Sequence, residues 1–250
     1  MELIILGSGT CVPSLTRGSP AAVIRTQDQI ILTDSGSGTL ERLLRVGITI
    51  HDVDMIFYTH THPDHVADLV PFLFASKYDC NPRDRDLLIM GGRGFSTYFG
   101  RLQDVYGDWI QSDLFTIRLK ESEHDSHDFG DFRVVTAPMA HRPESIAFRF
   151  ETRDGKSIVL SGDTDYNADI VTLAAQADLL VLESAFPDEK KVDGHLSPSV
   201  AGRIASEARC KRLVLTHLYP ICEKFDILGQ CASTYDGPIE IARDLLHYRL

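Results

Sequence analysis

The chain has 250 residues, 43% of them hydrophobic and 24% charged, which excludes disordered and fibrous classes and leaves enough apolar side chains for a sizeable core. A net charge of −11, from 36 acidic against 25 basic side chains, argues against a long nucleic-acid-binding face. The basic residues come singly or in pairs such as Lys190–Lys191 and Lys211–Arg212, which leaves room for a local patch only.

Short apolar and β-branched runs bounded by Gly, Asp, Pro or a charge predict strands at 3–6, 22–25, 30–33, 55–59, 87–90, 115–119, 132–136, 146–150, 157–160, 179–182 and 213–216. Helical spacing predicts helices at 39–46, stopped by Gly47, and at 94–109, with a helix-like apolar stretch at 66–74. Ser197 as N-cap and Pro198 at the first helical position open a helix through 208, and a last short helix is predicted at 239–246. Strands come first and then alternate with helices, a pattern the second half repeats. This order predicts a single α/β domain over residues 1–250, with two sheets inside and helices outside.

No apolar run approaches the roughly 18 residues of a membrane span, and the first residues lack a basic stretch of the signal-peptide kind. Cysteine occurs five times (Cys11, Cys80, Cys210, Cys222, Cys231) with no Cys-x-x-Cys. Together these features predict a cytoplasmic protein with free thiols and no membrane partner.

The strongest chemical signal is Thr59-His60-Thr61-His62-Pro63-Asp64-His65, which directly follows the strand predicted at 55–59. Three imidazoles and a carboxylate on one loop at a strand's C-terminal end suit zinc, manganese or iron. His60 and His62 alternate as ligands of one ion, and Asp64 and His65 turn to a second. Four ligands on so short a loop cannot complete two sites, so later ones are required. His141, Asp163 and His217 qualify, each at or just beyond a strand end. Singly, Asp163 also reads as a helix N-cap, and His141 and His217 as core or rim histidines. As a carboxylate, Asp163 is able to bridge two ions.

Taken in order, Asp34 in Leu32-Thr33-Asp34-Ser35-Gly36, the 60–65 motif, His141, Asp163 and His217 resemble the motifs of the metallo-β-lactamase superfamily. The opening Leu6-Gly7-Ser8-Gly9-Thr10-Cys11-Val12-Pro13-Ser14, with Arg17, is similar to the ribonuclease Z branch. The resemblance implies a four-layer αββα sandwich, with His60, His62 and His141 on one divalent ion and Asp64, His65 and His217 on the other. It further implies that Asp163 bridges the ions, expected to be zinc, and that Asp34 orients the histidine loop from behind. Lactamases proper carry cysteine at the position of Asp163, so this chain looks like the binuclear hydrolases.

Glu183, in Leu182-Glu183-Ser184-Ala185, and His195, in Gly194-His195-Leu196-Ser197, resemble the paired Glu and His loops of ribonuclease Z. The resemblance implies phosphodiester hydrolysis by a metal-bridging hydroxide that Asp64 positions and deprotonates. His195, oriented by Glu183, would then protonate the leaving oxygen. Ribonuclease Z carries a long tRNA-gripping arm between the equivalents of His141 and Asp163, where this chain has only 21 residues. A small or cyclic phosphodiester, or an RNA 3′ end, is therefore expected ahead of a tRNA 3′ endonuclease reaction. Thioester, lactone or sulfate ester hydrolysis on the same ions, or a catalytically silent binding protein, are the rivals. A homodimer is expected by family analogy alone. Arg142 is open to two readings, a contact to substrate phosphate or a pair with Glu144. Residues 121–128 read as a solvated acidic loop.

Overall fold

The computed structural model describes residues 1–250. The first half runs β1 (Glu2–Gly7), β2 (Ala21–Arg25), β3 (Ile30–Thr33), α1 (Thr39–Arg45), β4 (Met55–Phe57), α2 (Pro63–Val66), α3 (Leu69–Tyr78), β5 (Leu87–Gly91), α4 (Phe95–Tyr106) and β6 (Ile117–Glu121). The second runs β7 (Ser126–Asp128), β8 (Phe132–Pro138), β9 (Ile146–Thr152), β10 (Ser157–Leu160), α5 (Ala168–Leu173), β11 (Leu179–Glu183), α6 (Pro198–Ala208), β12 (Leu213–Thr216), α7 (Ile227–Ala232), β13 (Ile239–Ile241) and β14 (Leu246–Arg249). Two seven-stranded sheets result, ordered β14-β1-β2-β3-β4-β5-β6 and β13-β12-β11-β10-β9-β8-β7.

The strands explain why the sheets stack. Successive side chains of a strand point to opposite faces, so a strand apolar at every position must be covered on both. In β1, Leu3 and Ile5 face the second sheet while Ile4 and Leu6 pack beneath helices. β11 divides likewise, with Leu179 and Val181 between the sheets and Leu180 and Leu182 toward the other helical layer. Phe57 of the first sheet meets Phe148 and Phe150 of the second, with ring centroids 5.5 and 6.0 Å apart. Leu43, Phe72, Phe95 and Phe99 cover one outer face, and Ile170, Ala201, Ile204 and Cys231 the other. This is the expected αββα sandwich.

The helix predicted at 239–246 is a correction. Ile239–Ile241 instead pairs parallel to β12, the chain turns at Leu245 (φ 64°), and β14 pairs antiparallel to β1. An unfilled place at the edge of each sheet outweighed the local helical spacing. Asp244 fixes the crossing, accepting from Ser8 N and Ser8 Oγ on one oxygen (2.9 and 2.8 Å) and from Gly18 N on the other (2.7 Å).

Smaller differences follow the same logic. The strand predicted at 115–119 forms two residues later, the 66–74 stretch belongs to two helices, and the 94–109 helix tightens to a 3₁₀ turn after Tyr106. Part of the acidic 121–128 segment is the edge strand β7, paired with β8. Ser197 flanks α6 without a side-chain capping bond. The short helices α5 and α7 were not predicted, although Asn167 and Asp226 cap them through Ile170 N and Gly229 N. No helix is long and apolar enough to cross a membrane.

Candidate metal centre

The site forms where the C-terminal ends of strands from both sheets meet. Asp34 directly follows β3, held at φ 55°, and its carboxylate accepts from Thr59 N (2.8 Å), Thr59 Oγ1 (2.9 Å) and His65 Nδ1 (2.8 Å). A carboxylate only accepts, so His65 must carry its proton on Nδ1 and turn Nε2 inward. Thr59 gives its hydroxyl proton to Asp34 and is left to accept from His60 Nδ1 (3.1 Å), which turns His60 Nε2 inward as well. Asp34 therefore lies behind the histidine loop.

The second sheet closes the site. His141 lies beyond β8, and its Nδ1 donates to the Gly194 carbonyl (2.9 Å), leaving Nε2 3.1 Å from His62 Nδ1. Asp163 follows β10 through Gly162 (φ 60°), where a Cβ would meet the Thr59 side chain at 2.5 Å, so only glycine lets these loops touch. His217 leaves β12 at φ 56°. Asp163 is 3% exposed, and its two oxygens face different histidines. Oδ2 lies 3.7 Å from His60 Nε2 and 3.8 Å from His141 Nε2, while Oδ1 lies 3.4 Å from both His65 Nε2 and His217 Nε2. Asp64 Oδ2 is 3.5 Å from His217 Nε2 and accepts from Cys11 N (3.1 Å).

Three overlapping groups of donor atoms emerge, each within 4.8 Å of one another: His60, His62, His141 and Asp163; Asp64, His65 and His217; and Asp163, His195 and His217. His60 Nε2, His65 Nε2, Asp163 Oδ1 and both nitrogens of His217 are buried without a hydrogen-bond partner. Orphaned buried acceptors are costly unless something electropositive fills the gap. Burial pushes the His60 imidazole well below its ordinary pKa and lowers His62 and His141 too, which favours the neutral, ligating form. The residues fit divalent cations.

Glu183 and His195 join the same site. Glu183, at the end of β11 and 1% exposed, accepts from Thr164 N (2.9 Å) and His195 Nδ1 (2.8 Å) on one oxygen and from Ala185 N (3.1 Å) on the other. Burial raises its pKa. Burial alone would lower that of His195, but the bond to Glu183 and its charge outweigh this and raise it. The His195 ring lies 4.9 Å from that of His141 and 5.9 Å from that of His217.

Several contributors escaped the sequence reading. Thr59 stands in the motif, yet its role as the hub between Asp34 and two histidines is a matter of geometry. Asp165 anchors the Gly194 loop by accepting from Gly194 N (3.1 Å) and Lys191 Nζ (2.8 Å), and nothing in the sequence marks it. Arg142 is exposed and forms no ion pair; Glu144 instead accepts from Thr61 Oγ1 (3.2 Å), so the pairing alternative falls away.

Known proteins resemble this chain in sequence and fold. The family model of the β-lactamase superfamily domain matches residues 29–218. Ribonuclease Z of Mycobacterium bovis is 30% identical over 275 aligned positions, covering 98% of this chain and 96% of the relative. The crystal structure of human tRNase Z, short form, superposes with a TM-score of 0.78 at 26% identity, covering 100% of this chain and 99% of the other. The metallo-β-lactamase fold protein YhfI of Bacillus subtilis superposes at 0.86 with 22% identity and 99% coverage of both. With fold, donor set and relatives in agreement, the chain belongs to the metallo-β-lactamase superfamily, as a metal-dependent hydrolase of its ribonuclease Z-like branch.

Proposed function

We propose that the protein is a phosphodiesterase that works with two divalent ions on a small or cyclic phosphodiester or an RNA 3′ end. His60, His62 and His141 would hold one ion and Asp64, His65 and His217 the other, with one oxygen of Asp163 to each. The observation that carries this reading is the division of Asp163, with Oδ2 toward His60 and His141 and Oδ1 toward His65 and His217. Zinc suits imidazole and carboxylate donors, and manganese and iron accept the same set.

When bound, the ions supply Lewis acidity toward phosphoryl oxygens and activate water as a nucleophile. The chain's own residues do the rest. Asp64 orients the attacking water and takes its proton on the oxygen that Cys11 N leaves free. His195, with Nδ1 committed to Glu183, offers its other ring nitrogen to the phosphoryl oxygens and then protonates the leaving oxygen. Glu183 orients and charges His195 without touching substrate.

The names of the relatives support an RNA substrate. The span from His141 to Asp163 is filled by β9, a turn and β10, and it offers no arm with which to grip a folded RNA. That favours a short RNA end or a small ester over whole tRNA. We place residues 1–250 in one cytoplasmic domain, in keeping with five free cysteines. A homodimer belongs to this reading on resemblance alone, with light scattering as its test.

The deciding experiment is hydrolysis of bis(p-nitrophenyl) phosphate by protein loaded with zinc or manganese, beside Asp163→Ala. Metal-dependent turnover that the variant loses is expected. A fully metallated protein without turnover would overturn the phosphorus reading and point to thioesters and lactones.

A further inference from the structure

The exits of β11 and β12 each carry one aromatic residue that the metal centre does not use. Phe186 lies three residues past Glu183, and Tyr219 two past His217. Their rings stack, with centroids 4.5 Å apart and planes 20° from parallel. Phe186 meets the His195 ring edge-on at 6.0 Å, and Tyr219 meets the His217 ring edge-on at 6.1 Å. Both are half-buried, so part of each side chain stays open beside the site.

The pair is held in place beforehand. Tyr219 N donates to the Ala185 carbonyl (3.2 Å), which ties the two loops together, and a proline follows each ring. Cys222 Sγ reaches the same carbonyl at 3.2 Å from below. The Tyr219 hydroxyl has no hydrogen-bond partner in the protein.

We propose that Phe186 and Tyr219 form a stacking platform for the nucleobase of a nucleotide whose phosphate occupies the metal centre. The proposal rests on the phosphodiesterase reading and narrows it. An ester of two aliphatic alcohols leaves these faces wet, whereas every nucleobase has a flat π-face to lay on them. Because Phe186 adjoins His195, which protonates the leaving oxygen, the base belongs to the nucleoside on the leaving side. Stacking on an aromatic side chain is worth about 1–3 kcal/mol per base, or about 5- to 150-fold in affinity.

Isothermal titration calorimetry of the metal-loaded protein tests this with ribose 5-phosphate, adenosine 5′-monophosphate and adenosine 3′-monophosphate. At least one nucleotide is expected to bind about 5- to 150-fold tighter than the sugar phosphate. That ratio should fall toward one in Tyr219→Leu and in Phe186→Leu and persist in Tyr219→Phe, which keeps the ring and loses only the hydroxyl. A phosphorylated adenylate trinucleotide separates the two sources of such a ring: a further gain marks an RNA end, and equal affinity a free nucleotide. Equal affinity of wild-type protein for nucleotides and sugar phosphate overturns the platform, as does a ratio that survives in both leucine variants. Calorimetry does not depend on turnover. Base-dependent binding without hydrolysis would therefore fault the catalytic reading, and hydrolysis without base-dependent binding would fault the platform.

Discussion

Asp163 meets four histidine nitrogens within 3.8 Å, and none of these contacts is an ordinary hydrogen bond with an assigned donor. Behind it the protons of three of these histidines have a fixed destination, Asp34 for His65, Thr59 for His60 and Gly194 for His141, as does that of the neighbouring His195 on Glu183, whereas neither ring nitrogen of His217 has a partner. The arrangement gives His195 a role separable from metal binding. A proton donor matters when the leaving oxygen is strongly basic and hardly at all when it departs as p-nitrophenolate. His195→Ala should therefore slow hydrolysis of a nucleoside or alkyl ester by about 10²–10⁴-fold, and a p-nitrophenyl ester far less. Metal content by mass spectrometry should stay the same. Equal losses on both esters would remove His195 from proton transfer. At this scale the sequence is informative wherever residues cluster, as in 60–65, because a loop of ligands has few other uses. It is silent on Thr59 and Asp165, whose importance arises only when distant loops meet.

Among the elements, the strands were the most legible, since runs such as 3–6 and 179–182 are apolar at every position and bury both faces. The C-terminal segment was misread because its two strands are short and their partners lie far away in sequence. Glu2 shows how that segment is fastened. It accepts from His247 Nδ1 (3.1 Å) and Arg249 Nε (3.0 Å) on β14 and from Arg25 Nη1 (3.3 Å) on β2, clasping three strands at the sheet edge. Burial works against its charge, but these partners outweigh burial and hold its carboxyl below the usual range. A depressed folded-state pKa contributes stability above the unfolded value, near 4.3, and loses it as pH falls through the folded value. Glu2→Gln should thus cost about 1 kcal/mol near neutrality, read as a lower urea midpoint, and nothing in acid below both values. A cost that persists unchanged into acid would mean that the clasp acts through shape alone.

At the scale of the whole molecule, charge comes first. With a net charge of −11 the protein repels a polyanion at long range, while a small ester feels mainly the centre itself. Raising ionic strength from about 10 mM to about 150 mM screens that repulsion, so kcat/KM for an oligonucleotide should hold or rise. A protein that grips RNA through many lysines and arginines loses affinity steeply over the same range. A steep fall here would reveal a basic path that the sequence conceals.

The metal centre also bears on whether the two sheets stay together. Asp34, His60, His62, Asp64 and His65 come from the first sheet and its connections, and His141, Asp163 and His217 from the second. An ion with ligands from both sides is a cross-link present only in the folded chain, and it screens the mutual repulsion of Asp64 and Asp163. An ion at 1,000 times its dissociation constant stabilises the native state by about 4 kcal/mol, which for a chain of this size raises Tm by roughly 10 °C. Removing the ions by dialysis against a chelator should lower the calorimetric Tm by at least that much, and adding back zinc should restore it. On the proposed assignment Asp163→Ala would take one donor oxygen from each ion, so its Tm should respond far less to either treatment. A wild-type Tm indifferent to the chelator, in protein verified to be metal-free, would mean that hydrophobic contacts such as Phe57 on Phe148 hold the sandwich without help from its active site.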